Sequence, residues 1–198
     1  MEDKSEKIIG TAQQLFGLYG VEKTTMQEIA DDLQISKASL YYYFPDKESL
    51  YTAVIRKEQM EFLKILENDL KFIKDPADCL RKYTLARLTY FRKLMNLSRI
   101  RLESYSVLRP KLAGSMVDFR EEEKKLIIKI LEQGKETGRF NIADTEKTSA
   151  LFLDLLRGLR SAFITDKELL VIDNSEYKIL SEKVIGITEI FIKGLMYK

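Results

Sequence analysis

The sequence predicts an all-α fold of about nine helices. Apolar residues recur at helical spacing along nearly the whole 198-residue chain, and no alternating strand pattern interrupts them. Only 3 prolines and 9 glycines occur, so the breaks between helices are few. With 45% apolar residues, the chain can bury the core of one or two domains.

The first helix is indicated by apolar side chains that share one face. Their spacing of 0, 4, 7, 8 and 11 residues keeps them on one side of a helix. The residues are Ile8, Ala12, Leu15, Phe16 and Tyr19. Gly20 is then the predicted C-terminal cap, because glycine adopts the left-handed conformation that commonly ends a helix.

Two short helices with a tight turn between them follow. Thr25 lies three residues before Glu28, a capping box that predicts the start of the second helix. Ser36 is the expected N-cap of the third helix, and Asp46 that of the fourth. The sequence therefore predicts a helix, a turn and a helix within about twenty residues.

The rest of the chain continues as helices. The breaks are predicted near Pro76, at Pro110, around Gly134 and Gly138, and near Asn174. The predicted helices cover residues 47 to 73, 76 to 95, 98 to 109, 115 to 137, 145 to 165 and 176 to 196.

Composition excludes much ordinary enzyme chemistry. The chain has one cysteine and no histidine, so disulfides, Cys/His zinc sites and histidine triads are absent, and we expect no metal or cofactor. An enzyme would depend on carboxylate, lysine or tyrosine chemistry alone, and we expect none. The charged N-terminus and the lack of a long apolar run predict a cytoplasmic protein with no membrane partner.

The segment SKASLYYYF places three consecutive tyrosines on the third helix. On a helical wheel Tyr43 lies with Leu40 and Phe44, whereas Tyr41 and Tyr42 project from the other side. One interpretation is that Tyr41 and Tyr42 are surface residues without a specific function. The other is DNA contact, because the preceding helix and turn form a helix-turn-helix whose second helix enters the major groove.

From residue 8 to 50 the sequence closely resembles the tetracycline-repressor (TetR) family of bacterial transcriptional regulators. The resemblance lies in IIGTAQQLFGLYGVEKTTMQEIADDLQISKASLYYYFPDKESL, and over residues 51 to 198 it is only architectural. It implies a helix-turn-helix DNA-binding domain at 1–46 and a helical effector-binding and dimerisation domain at 47–198. It also implies a repressor that binds a near-palindromic, double-stranded operator as a homodimer and is released by a small molecule.

The resemblance also suggests which residues contact DNA. Thr25 and Lys47 stand at helix starts, where free amides and the helix dipole favour an anion. Tyr42 would join them on phosphates. The residues expected at base edges are Lys37, Ala38, Ser39 and Tyr41.

Charge is distributed unevenly along the chain. Residues 1 to 50 hold five lysines against nine acidic residues, a balance of −4, so the usual basic footprint of a DNA-binding domain is missing. Residues 56 to 111 carry a balance of +7. Solvated helix faces explain most of this excess, and the sharper interpretation is an anionic effector reached by Arg87 or Arg101.

The resemblance places the effector pocket on the middle helices and the dimer interface on the last two. For any single pocket candidate, ordinary core packing is the simpler interpretation. The pocket candidates are Tyr83, Arg87, Tyr90, Met95, Arg101, Tyr105, Met116, Phe119 and Phe152. The interface candidates are Leu155, Leu159, Val184, Ile187 and Phe191. A ligand-independent DNA-binding protein controlled by a protein partner remains the alternative.

Overall fold

The computed structural model describes residues 3–98, 102–165, 167–168 and 170–196. Within these ranges it has eight helices: α1 (Lys4–Tyr19), α2 (Met26–Asp32), α3 (Lys37–Tyr43), α4 (Lys47–Leu70), α5 (Pro76–Ser98), α6 (Leu102–Glu136), α7 (Thr145–Ile164) and α8 (Asn174–Leu195). The described residues add only an isolated bridge between Phe140 and Met196. The all-α prediction is confirmed. None of the described helices combines the length and apolar character needed to span a membrane.

The predicted ends of the first helices are confirmed. Thr25 and Glu28 form the capping box of α2, with the Thr25 amide donating to the Glu28 carboxylate at 2.7 Å. Ser36 and Asp46 each accept a hydrogen bond from the amide three residues further on, at 3.1 and 2.6 Å. Gly20 ends α1 with φ 86°, in the left-handed region.

The predicted break at Pro110 is wrong. Residues 102 to 109 and 115 to 136, which the sequence assigned to two helices, belong to one helix, α6, with Pro110 inside it. Proline removes one backbone hydrogen bond and costs about 3 kcal/mol in a helix interior. The helix continues because Leu108, Leu112 and Phe119, at offsets of 0, 4 and 11 residues, are all buried on one face. Burial of these side chains offsets the local penalty, and the described part of the chain forms eight helices instead of nine.

The chain forms two compact units, and the first contains the helix-turn-helix. It comprises the described residues within Met1–Met60, Lys93–Val117 and Lys167–Val171. Helix α2 packs on α1 and α3, and side chains such as Phe16, Ile29 and Leu40 are fully buried. The buried Glu58 carboxylate accepts hydrogen bonds from Gln13 on α1 and, at 2.7 Å, from Lys93 on α5. One carboxylate therefore ties α4 to two other helices.

The second unit comprises the described residues within Glu61–Arg92, Asp118–Asp166 and Ile172–Lys198. Helices α7 and α8 pack on each other, and the rings of Phe152 and Phe191 lie 4.6 Å apart between them. Phe140, fully buried, lies against the backbone of Gly134. The units group residues by packing, whereas the domains predicted at 1–46 and 47–198 divide the chain by function; that division stays a prediction.

Candidate functional site

The helix-turn-helix holds its second helix through a few buried side chains. Leu40 is the fully buried anchor of α3, and Ile29 and Ala30 are the corresponding buried residues of α2. The turn between them is closed by a hydrogen bond from the Ile35 amide to the Ala30 carbonyl at 3.0 Å. Gln34 adopts φ 55°, a left-handed conformation that a tight turn requires. These contacts leave the opposite face of α3 open to solvent.

The three tyrosines of α3 divide between the two faces, as the helical wheel predicts. Tyr43 is half-buried, whereas Tyr41 is 40% exposed and Tyr42 is 85% exposed. Lys37 is exposed, and its ammonium group lies 5.9 Å from the centre of the Tyr41 ring. Ala38 is also exposed. The solvent face of α3 thus carries one cation, two phenol groups and a small apolar side chain.

A further cation, Lys4, lies beside this face although nothing in the sequence pairs it with α3. Its ammonium group donates to the Ser39 hydroxyl at 3.3 Å and lies 5.7 Å from the centre of the Tyr43 ring. Ser39 is half-buried. No local pattern could reveal the contact, since 35 residues separate the two. Sequence reasoning missed Lys4 as a candidate DNA contact.

Lys47 begins α4, as predicted, and its side chain is hydrogen-bonded within the protein. Its ammonium group donates to the carbonyl oxygens of Val21, Glu22 and Thr24, at 2.9, 3.3 and 3.0 Å. A lysine ammonium has three donors, and these three carbonyls use all of them. Lys47 therefore holds the loop between α1 and α2, and its phosphate contact stays a prediction.

Thr25 is exposed and fully engaged in the capping box. Its hydroxyl donates to Glu28 at 2.9 Å and accepts from the Glu28 amide at 3.2 Å. The backbone and side-chain hydrogen bonds from Thr25 lower the pKa of Glu28, so a carboxylate stands at the start of α2. A phosphate that approached Thr25 would meet this negative charge. The capping role is confirmed, and the phosphate contact stays a prediction.

The second unit contains a small, partly open recess. Its polar lining consists of Thr84, Arg87 and Arg160. The apolar lining consists of Leu88, Phe91, Leu156, Leu180 and Val184. The lining side chains come from α5, α7 and α8, so three helices of this unit shape the recess.

Most predicted pocket residues lie elsewhere. Of the nine, only Arg87 lines the recess. Tyr83 and Phe152 are fully buried core residues, and Tyr90 and Phe119 pack with Phe62 in an aromatic cluster. The others in described regions, Met95, Tyr105 and Met116, belong to the first unit, and Arg101 lies outside the described residues. Apolar character alone could not separate cavity lining from core.

Arg87 belongs to a buried hydrogen-bond network. Its Nε and Nη2 donate to the two carboxylate oxygens of Glu123, at 2.6 and 3.2 Å, and the Tyr83 hydroxyl donates to Glu123 at 2.7 Å. Desolvation opposes the charge on Arg87, yet pairing with Glu123 raises the pKa of Arg87. Burial and the Glu123 charge raise the pKa of Tyr83 well above its usual value. Tyr83 therefore remains a neutral donor, and the network is fixed.

The predicted dimer residues occupy several environments. Leu155, Leu159 and Ile187 are half-buried in the protomer. Val184 is buried and lines the recess, and the half-buried Phe191 packs on Phe152. The assignment of all five residues to a dimer interface stays a prediction.

Helices α7 and α8 nevertheless expose a second apolar stripe. On α7 the exposed Leu151 and Gly158 lie on one face with Leu155, at offsets of 0, 4 and 7 residues. On α8 the residues Ile179 and Ile190 are 50% and 70% exposed, 11 residues apart on one face. The sequence predicts more than one apolar stripe on these two helices but does not show which stripe faces solvent.

Comparison with known proteins gives three findings. Residues 8–54 match the model of the family "Bacterial regulatory proteins, tetR family". The HTH-type transcriptional regulator RutR of Escherichia coli K12 is 30% identical over 139 residues, which are 67% of this chain and 64% of that protein. A crystal structure of a transcriptional regulator from Cytophaga hutchinsonii is 36% identical, with a TM-score of 0.89 over 99% of this chain and 100% of the other.

A second solved structure shares the fold. It is a regulator from Saccharomonospora viridis in complex with choline, 19% identical, with a TM-score of 0.71 over the full length of both chains. At this identity the likeness concerns the fold alone. The chain spans less than two thirds of the length of RutR, so the activity of that whole protein does not transfer by alignment.

Proposed function

Because the chain belongs to the tetR family of bacterial regulatory proteins, we propose that it is a transcriptional repressor that binds a near-palindromic operator as a homodimer and is released by a small molecule. The observation that carries the proposal is the solvent face of α3. A cation and two phenols project from a helix that Leu40 anchors to α2, as a recognition helix requires.

Residues on and beside this face could provide both base contacts and phosphate contacts. Lys37 can bind the acceptor edge of guanine, and Tyr41 can donate to base edges or press on a thymine methyl. Tyr42 and Lys4 are placed to reach phosphate oxygens beside the groove. Exposed acids elsewhere on this unit, among them Asp31 and Asp32, make nonspecific attraction weak. Binding should therefore depend on a few placed contacts.

The homodimer is supported by the exposed apolar stripe on α7 and α8. Two copies that bury Leu151, Ile179 and Ile190 against one another would remove these side chains from water. A two-fold axis would pair the same patch of both copies and present two recognition helices to DNA. The operator half-sites would then lie about 34–36 Å apart, or a multiple of that distance.

Release by a small molecule is supported by the recess in the second unit and by the choline-bound regulator of the same fold. Choline is a cation, whereas this recess presents two arginines, so we propose a ligand of different chemistry. Any ligand can change operator affinity only by its different affinity for the two states of the dimer. A coupling of about 1–3 kcal/mol would lower operator affinity roughly 5–150-fold.

The test is selection of the chain on a pool of random DNA duplexes, followed by sequencing. Enrichment of a two-fold symmetric motif would support the proposal, and Lys37→Ala should change the enriched bases. A pool that stays random after repeated rounds would contradict it. Operator binding that no small molecule alters would leave the alternative, control by a protein partner.

A further inference from the structure

The buried carboxylate of Glu58 joins the helix-turn-helix to α4, the helix that follows it in the chain. Glu58 lies on α4 and is 3% exposed. Its Oε1 accepts a hydrogen bond from Nε2 of Gln13 on α1, and its Oε2 accepts from the ammonium group of Lys93 on α5 at 2.7 Å. We infer that Glu58 is a positioning residue, which fixes the angle of the helix-turn-helix on α4 and thereby the half-site spacing that the homodimer accepts. The inference rests on the proposed binding of an operator.

The neighbouring contacts between α1 and α4 define this angle less sharply. Phe16 on α1 and Tyr51 on α4 pack with their ring centres 5.9 Å apart. Apolar contact is non-directional, so it resists separation of the two helices more than it resists rotation. Lys57 pairs with Glu6 at 3.5 Å, and a pair with this much exposure to water contributes little. The hydrogen bonds to the Glu58 carboxylate are directional and charge-assisted, so they favour one orientation of α1.

Stability alone does not explain a carboxylate at this position. Even when it is paired, a buried carboxylate costs desolvation energy that a well-packed apolar side chain of similar size does not. Both oxygens of Glu58 nevertheless accept hydrogen bonds, one from the half-buried Gln13 and one from Lys93, whose side chain is 58% exposed. A buried polar group that is paired in this way specifies one arrangement of the packed elements over others. The arrangement specified here is that of α1 on α4.

The orientation of α1 determines where the recognition helix α3 points. Helix α2 packs on both α1 and α3, and Lys4 on α1 donates to Ser39 on α3 at 3.3 Å. These contacts join the three helices, so a rotation of α1 on α4 carries α3 with it. B-DNA advances about 3.4 Å and turns about 35° with each base pair. A fixed angle on α4 in both copies of a dimer therefore selects one half-site spacing, and a loose angle accepts several.

The experiment varies the number of base pairs between two half-sites. Selection on random duplexes supplies the half-site and its spacer, and the test duplexes have one or two base pairs added to the spacer or removed from it. Fluorescence anisotropy measures the affinity of the full chain for each duplex. A change of one base pair should lower the affinity of the original protein about 10-fold or more, because rotation of the two recognition helices strains a charge-assisted hydrogen bond in each copy.

Two variants on α1 test the role of the hydrogen bond. Gln13→Met removes the donor to Glu58 at similar side-chain size, and its affinity should change by less than about 3-fold when one base pair is added or removed. Gln14→Met is the matched control, since Gln14 is the exposed neighbour on the same helix, and it should keep the original spacing preference. A uniform loss of affinity at every spacing in Gln13→Met would indicate a merely structural contact and overturn the inference. An unchanged spacing preference would overturn it as well.

An exchange of donor and acceptor tests the same contact by rescue. The double variant Gln13→Glu with Glu58→Gln keeps the net charge, lets the new amide donate to the new carboxylate, and leaves an amide oxygen to accept from Lys93. It should restore the original spacing preference. Circular dichroism confirms that each variant is folded. A folded double variant that stays as tolerant of spacing as Gln13→Met would contradict a role for this hydrogen bond.

A measurement without DNA distinguishes failure of the inference from failure of the proposed function. Nitroxide labels at Asp32→Cys on α2 and Met60→Cys on α4, both exposed in the first unit, report the angle as a distance distribution. Cys79→Ser removes the native thiol, and dilution with unlabelled protein limits the signal to one distance within each protomer.

The distance distribution should broaden in Gln13→Met and stay unchanged in Gln14→Met. If it broadens but no duplex motif is ever selected, the proposed function fails, and Glu58 still fixes the angle of α1 on α4. If a symmetric motif is selected but the distribution is the same in both variants, the inference fails and the DNA-binding regulator remains.

Discussion

The ammonium group of Lys4, in the first turn of α1, lies 3.3 Å from the hydroxyl of Ser39 on α3. The contact brings a positive charge to a face that otherwise has only Lys37. Residues 1 to 50 hold nine acidic residues against five lysines, so within this segment the position of each cation matters more than the total. Lys4 is therefore a candidate phosphate contact that connects the start of the chain to the recognition helix.

Replacing Lys4 by Gln should weaken binding to specific and random DNA alike. Loss of one phosphate contact should reduce the slope of log affinity against log salt by about 0.9. Fluorescence anisotropy at several salt concentrations measures both quantities. Lys64→Gln is the control, because Lys64 is an exposed lysine of the second unit. Identical slopes for the two variants would remove Lys4 from the interface.

Lys37→Ala and Tyr41→Phe should change base preference more than overall affinity. Each removes a donor from the solvent face of α3, and one good base contact is worth roughly 1–3 kcal/mol of discrimination. The ratio of specific to random DNA affinity is the measurement. Tyr19→Phe is the control, since Tyr19 is an exposed tyrosine at the end of α1. If both α3 variants lost the same affinity for all duplexes, these side chains would be phosphate contacts instead.

Lys47→Met should destabilise the protein, because three carbonyls of the α1–α2 loop lose their donor. Hydrogen bonds to charged groups contribute about 1.5–3 kcal/mol, so we expect a loss of roughly that size in urea unfolding. Lys111→Met is the control: among the described residues Lys111 forms exposed ion pairs of 3.7 and 3.8 Å, worth about 0–1 kcal/mol. Unchanged stability with uniformly weaker DNA binding would restore the phosphate role first predicted for Lys47.

Glu123→Gln should lower the free energy of unfolding by about 3–5 kcal/mol, because it leaves the buried Arg87 charge without its partner. The neighbouring Glu122→Gln, at an exposed pair with Lys125, should change it by less than about 0.5 kcal/mol. A second replacement, Arg87→Met, should recover part of the loss. Similar small losses for Glu122 and Glu123 would mean that the buried network contributes little.

Ile190→Glu should dissociate the homodimer without unfolding the protomer, because Ile190 is 70% exposed. Ile185→Glu is the matched control, since Ile185 lies about 140° away on the same helix. Sedimentation gives the oligomeric state, and circular dichroism confirms the fold. Phe191→Glu should instead unfold the protein, because its ring packs on Phe152. A dimer that tolerates Ile190→Glu would place the interface elsewhere.

Local features of the fold could be predicted from the sequence, because their causes are local. The capping box of Thr25 and the cap at Ser36 depend on neighbours three residues apart, and both are present. The side of α3 on which Tyr41 and Tyr42 lie follows from helical geometry alone. The break at Pro110 was predicted wrongly because the cost of a proline in a helix can be read from the sequence. The burial of Leu112 on the same helix depends on packing with distant residues and cannot.

The candidate sites could be predicted only where the helix-turn-helix pattern determines them. The contacts of Lys4 with Ser39 and of Lys47 with the α1–α2 loop join residues more than twenty positions apart. The recess could not be predicted for a related reason, since the same residue types line a cavity and fill a core. Only packing shows that Tyr83 belongs to the core and Arg160 to the recess.

The contact between Gly134 and Phe140 restricts how this protein can be engineered. Replacing glycine by alanine in a helix usually stabilises it by roughly 0.5–1 kcal/mol. At Gly134 an added Cβ would lie 2.0 Å from the Phe140 ring, and the Phe140 amide is held to the Gly134 carbonyl at 2.9 Å. The ring has no room to retreat, since Phe140 is fully buried. Gly114→Ala should therefore stabilise α6, since an added Cβ there meets none of the surrounding atoms within 4 Å, whereas Gly134→Ala should not.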